Sequence, residues 1–153
     1  MTFTVYEMIH RGYLTEASQI ICVPFEERYF QNYMAIYNAC FYDMRKALEI
    51  KPYEFLHSYE QIREKTKDIY VLLEEDEIIG SVVCYGNEAD DLIVNPRFQR
   101  RGYGKQLLLW AMEHIRRSGY DEISLHVAEW NQNALQMYQR AGFEICKTET
   151  IMR

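Results

Sequence analysis

Apolar residues recur at three-and-four spacing in some stretches of the chain and near alternation in others, and the change of period divides it into elements. Over residues 27–50 they fall at Phe30, Tyr33, Ile36, Tyr37, Cys40, Phe41, Met44, Ala47 and Leu48, one face of a long amphipathic helix that Pro52 ends. Residues 106–117 repeat the pattern with Leu107, Leu108, Ala111, Met112 and Ile115, closed by Arg116, Arg117 and Gly119. A third helix is predicted over 131–140, closed by Gly142. The capping box Ser58-Tyr59-Glu60-Gln61 predicts a short helix through about residue 67 that carries Ile62 inward.

Between these stretches the residues favour strands. Residues 3–10 predict a first strand. Residues 69–73, 78–85 and 91–94 predict three more, joined by turns at Glu75-Asp76 and Gly86-Asn87 as an antiparallel meander. Residues 123–127 and 143–151 predict the last two. The order β-α-α-β-β-β-α-β-α-β, with no repeat or linker, predicts a single α+β domain whose mixed, mostly antiparallel central sheet is flanked by helices.

Composition narrows the possible partners. With 153 residues, 48% of them hydrophobic, the chain supports one core rather than two. A net charge of −6 argues against a general nucleic-acid binder, which needs a basic surface, and mildly favours a cationic partner. Acids gather at Glu74, Glu75, Asp76 and Glu77 and again at Glu88, Asp90 and Asp91, whereas Arg97, Arg100, Arg101 and Lys105 form a basic island. Cys22, Cys40, Cys84 and Cys146 match no metal-ligand spacing, which predicts buried free thiols in a reducing compartment and no metal. No leader and no run of about 20 apolar residues is present, so the expectation is a soluble cytoplasmic protein without a membrane partner.

The basic island holds the candidate chemistry, Gln99-Arg100-Arg101-Gly102-Tyr103-Gly104-Lys105. A strand ending near Val94, a turn through Pro96 and glycines opening a helix place unpaired backbone N–H groups at a positive helix end, a geometry that binds phosphate. Gly102 and Gly104 remove the Cβ atoms that would hold a ligand off the backbone. A two-glycine turn into a helix with solvated cations is the plain alternative.

The segment 94–104 resembles the acyl-CoA-binding segment of the GCN5-related N-acetyltransferase (GNAT) superfamily, whose core is Gln/Arg-x-x-Gly-x-Gly/Ala; Gln99, Gly102 and Gly104 match it in order. The family's second motif is matched by Asn131, Ala134, Tyr138 and Gly142-Phe143. The resemblance covers residues 69–146 well and implies a coenzyme-binding core over 69–153, with the acceptor-side part over 1–68. It also implies acetyl-CoA as co-substrate and direct transfer of an acetyl (acyl) group to a primary amine in a ternary complex. The amides from Gln99 to Lys105 would hold the pyrophosphate, and Leu92, Ile93 and Val94 would pair with the pantetheine arm and lend an N–H to the oxyanion. Tyr138 would protonate the departing thiolate, and Asn131 would be a helix N-cap, a coenzyme contact or both. Glu88, Asp90, Asp91, Tyr85 and His126 stay open as the base. Trp130 reads as a packed aromatic. The acceptor is a small-molecule amine or a protein or peptide amine, and a homodimer stays open. A non-catalytic acyl-CoA-binding sensor or interaction module is the alternative function. One departure concerns the end of the chain, where about ten residues follow Phe143, enough for one strand where many members have two.

Overall fold

The computed structural model describes residues 1–152. Its strands are β1 (Thr2–His10), β2 (Val23–Pro24), β3 (Ile69–Glu74), β4 (Glu77–Tyr85), β5 (Glu88–Val94), β6 (Ile123–Ala128) and β7 (Glu144–Met152); its helices are α1 (Phe30–Ala47), α2 (Tyr103–Arg117) and α3 (Gln132–Arg140). All seven strands join one sheet in the order β2-β3-β4-β5-β6-β1-β7. The pairs are antiparallel except β5 with β6, so the fold is the α+β arrangement that the periodicity predicts.

Each face of the sheet carries its own core. On one face α1 lays Tyr33, Ile36 and Tyr37 against Ile69, Val71, Ile78, Val83 and Ile93. On the other, α2 brings Leu107, Leu108, Met112 and Ile115 against Met8, Val82, Leu125 and Phe143. Burying such side chains contributes about 1.5–3 kcal/mol each and sets which face each strand residue takes.

Two elements and one thiol differ from the expectation. The expected helix over 58–67 forms two 3-10 turns, Tyr59–Gln61 and Arg63–Asp68, with the Ser58 capping box intact and Ile62 buried. Its only strongly buried residue is Ile62, so no apolar stripe holds a regular α-helix against the sheet. A short β2 adds an edge that no alternation announces. The thiols are free, and Cys22 and Cys84 are buried, but Cys146 on β7 is exposed, contrary to expectation.

β1 takes a place that its position in the chain does not announce. It leaves the early strands and lies antiparallel between β6 and β7, so the first strand occupies the place beside β6 and β7 pairs with β1 alone. No helix among the described residues is long and apolar enough to cross a membrane.

Candidate active site

β5 and β6 are hydrogen-bonded only at their start, where Glu88 stands beside Ser124 and the Ser124 N–H donates to Asn87 O at 2.9 Å. Farther along they separate. Ser81 pairs with Ile93 and Val83 with Asp90, which leaves Asp91 and Leu92 opposite Val82 alone; this β-bulge carries Asp91 at φ 43°. Past the bulge the Asn95 N–H donates to Ile79 O at 2.8 Å, so Val94, one residue earlier, turns its own N–H away from β4 toward the gap.

On the α2 side of the gap is a cleft of about 600 Å³ lined by Arg100, Gly102, Gly104, Lys105, Met137 and Arg140, with Leu14, Thr15 and Glu16 of the β1–β2 connection across from them. Arg100 (φ 65°) and Gly102 (φ 86°) adopt left-handed backbone conformations as the chain enters α2. Among the described residues, no group accepts from the amides of Arg100 to Lys105; the first amide of α2 with an acceptor is that of Gln106, which donates to Gly102 O at 3.2 Å. Successive unpaired amides at the positive end of a 15-residue helix make an anion cradle, and Arg100, Lys105 and Arg140 add charge around it. The cradle therefore suits a pyrophosphate.

On the α1 side is a second cavity, about 330 Å³, lined by Tyr37, Phe41, Arg45, Asp90, Asp91, His126, Asn131 and Tyr138. A pocket of about 30 Å³ in the gap shares Asp90, Asp91, Leu92, His126 and Tyr138 with it. Tyr138 of α3 lines this cavity and the gap pocket, while its neighbour Met137 lines the cleft and Leu108 lines both the cleft and the gap pocket. The ring packs edge-on against Phe143 with centroids 6.1 Å apart. Burial, helped by the nearby charge of Asp90, pushes its pKa up to about 12, so the phenol keeps its proton at neutral pH.

Three of the five candidate bases, Asp90, Asp91 and His126, line this cavity, and a fourth, Glu88, reaches it through His126. The His126 ring and Glu88 carboxylate share a hydrogen bond through Nδ1 at 2.6 Å, and Asp91 pairs with Lys65 at 3.1 Å. Burial, then the adjacent Asp90 charge, raises the Asp91 pKa against the opposing pull of Lys65. Tyr85 is 66% exposed and lines neither space.

The remaining residues sort by position. Leu92 and Val94 pack toward α2, whereas Ile93 is buried against α1. Gln99 Nε2 donates to Val94 O at 3.0 Å, tying the turn to β5. Arg101 points out of the cleft, its guanidinium 5.5 Å from the Phe98 ring, and Tyr103 packs edge-on to the same ring. Asn131 caps α3, its Oδ1 accepting from the Ala134 N–H at 3.2 Å, and it lines the α1-side cavity rather than the cleft. Ala134 is half-buried against the core. Trp130 is 47% exposed rather than packed.

Sequence reasoning missed Asn133, Met137 and Arg140 in the cleft, although their spacing on α3 marks one helix face. It also missed Leu14 to Glu16, where Glu16 pairs with Lys105 at 3.0 Å, and Arg45 in the cavity. Both halves of the chain line both spaces.

The family model described as the acetyltransferase (GNAT) family matches residues 30–143. A mycothiol acetyltransferase of Propionibacterium freudenreichii is 38% identical over 56 residues, which are 37% of this chain and 18% of the relative. A [ribosomal protein bS18]-alanine N-acetyltransferase of Haemophilus ducreyi is 34% identical over 74 residues, 46% of this chain and 51% of that one. The chain thus spans about half or less of the length of these relatives. Among solved structures, a GNAT-family acetyltransferase of Colwellia psychrerythraea superposes with a TM-score of 0.74 over 98% of this chain and 55% of its own, at 12% identity.

Proposed function

The chain belongs to the GNAT acetyltransferase family, and from that premise we propose that it transfers an acetyl group from acetyl-CoA to a primary amine by direct attack. One arrangement supports this reading: Tyr138, protonated at neutral pH, lines the acidic cavity, and its α3 neighbour Met137 lines the cleft that holds the amide cradle. Bound acetyl-CoA supplies an activated acetyl group as a thioester.

The chain's residues divide the rest of the work. The amides of Arg100 to Lys105, with Arg100, Lys105 and Arg140, hold the pyrophosphate. The free Val94 N–H and the open edge of β5 hold the pantetheine arm and polarise the thioester carbonyl. Tyr138 donates a proton to the thiolate sulfur, whose affinity for protons is that of an ordinary thiol. A carboxylate of the Glu88, Asp90, Asp91 group or the Glu88-paired His126 takes the proton from the amine.

The acceptor follows from the walls of the α1-side cavity. Aromatic Tyr37 and Phe41 face an apolar body, and Asp90 and Asp91 attract an ammonium group, so the acceptor is a cationic amine with an apolar portion. A small amine and the amino end of a peptide both meet that description, in keeping with the different acceptors named for the two relatives.

The test is an amine panel with acetyl-CoA and a free-thiol readout. Aralkyl amines and apolar N-terminal peptides should turn over, and Tyr138→Phe should lower kcat about 100-fold or more while leaving acetyl-CoA affinity nearly unchanged. Tight acetyl-CoA binding with no thiol release from any amine would instead identify a binding module. No binding at all would falsify the assignment of the cleft.

A further inference from the structure

The two edges of the sheet are unlike. β2 is only two residues long and ends in Pro24, which has no N–H to offer a further strand. β7 runs for nine residues without proline, and residues 144–150 are all exposed. A long open edge invites another strand unless something opposes pairing.

The hydrogen-bond phase shows which β7 groups are free. The Glu129 N–H donates to Thr4 O, so the even-numbered residues of β1 turn their backbone groups to β6 and the odd-numbered ones turn theirs to β7. β1 meets β7 as Phe3 with Ile151, Val5 with Glu149 and Glu7 with Lys147. The N–H and C=O of Thr148 and Thr150 therefore point outward, away from β1.

The side chains select the partner. Antiparallel pairing of β7 with another β7 about Thr148 puts Lys147 opposite Glu149 twice and Thr148 opposite itself, within the regular stretch that follows the β7 bulge at Cys146. Moving the axis to Lys147 or to Glu149 places like charges on each other, so this register has the complementary charges. We propose that β7 is the interface between two copies of this chain, joined edge to edge about a two-fold axis at Thr148 so that the two sheets run into one. Such pairing is isologous and closes at two copies, with the outward amide of each Thr148 donating to the other's carbonyl.

The experiment is sedimentation equilibrium of the whole chain over a concentration series. The mass should rise from that of one 18.4 kDa chain to that of two. Thr148→Pro removes only an outward N–H, so it should give a monomer with an unchanged circular dichroism spectrum. Lys147→Glu should also give a monomer, because it faces Glu149 of the second copy with like charge. Adding Glu149→Lys should restore the dimer. Within one chain Lys147 stands opposite Glu7, a pairing the second substitution does not repair, so recovery reports the contact between copies. A wild-type chain monomeric at every concentration, a dimer indifferent to Thr148→Pro, masses above two copies, or a double variant that stays monomeric would each overturn the proposal. If Thr148→Pro fails to fold, the charge exchange decides.

Discussion

Asp91 holds three constraints at one position: a left-handed backbone at the bulge, a mostly covered carboxylate and a salt bridge to Lys65. Its pKa is raised in the folded chain. For an acid whose folded pKa lies above the unfolded value, the stabilising contribution is present below the unfolded pKa and is lost as pH rises through the folded one. Its charge thus costs stability at neutral pH. Asp91→Asn should raise Tm near pH 7, with the gap over wild type closing as pH falls toward the ordinary carboxylate range. If the α1-side cavity holds the acceptor as proposed, the same variant should lower acetyl transfer about tenfold or more, because it removes a carboxylate from that cavity's wall. Thermal melts at several pH values and the thiol assay check both halves. The sequence pointed to Tyr138 and Asn131 by motif and offered Asn131 as the N-cap of α3, which it is, but could not tell that Asn131 faces the cavity while Asn133 faces the cleft. Which side of a helix start a side chain takes depends on how that helix docks.

At the scale of elements, the N-terminus of α2 was the most legible feature, because a glycine pair opening an apolar helix states its own geometry. The two glycines nevertheless differ. Gly102 sits at φ 86°, where any Cβ is strained. Gly104 does not, and a Cβ there would meet Val94 Cγ2 and Met137 Sδ at 3.8 Å, ordinary contact beside the cleft. Gly104→Ala should therefore keep or slightly raise Tm, since alanine is the better helix former by about 1 kcal/mol. It should weaken acetyl-CoA binding by tenfold or so, whereas Arg101→Ala, whose side chain stacks on Phe98, should change it little. Calorimetric titration of the two variants separates backbone approach from charge. The 58–67 stretch illustrates the opposite limit: its cap was legible, but a cap fixes where a turn begins and not whether packing prolongs it.

On the scale of the whole molecule, β1 joins the first residues to the last. Among the described residues it is the only strand β7 pairs with, and it places Met8, fully buried, in the core beneath α2. Met8→Ala should cost about 2–5 kcal/mol, seen as a lower Tm and denaturant midpoint, more than truncation on a strand covered on one side only would suggest. The sequence by itself determined the periods, the caps, the meander and the two motifs, because these depend on neighbours a few residues apart. Only the tertiary structure decided that β1 inserts between β6 and β7, that β5 and β6 part at a bulge, and that Leu14 to Glu16 closes one side of the cleft. Those features arise from pairing between segments distant along the chain, where many registers satisfy the same local pattern and the packed core selects one.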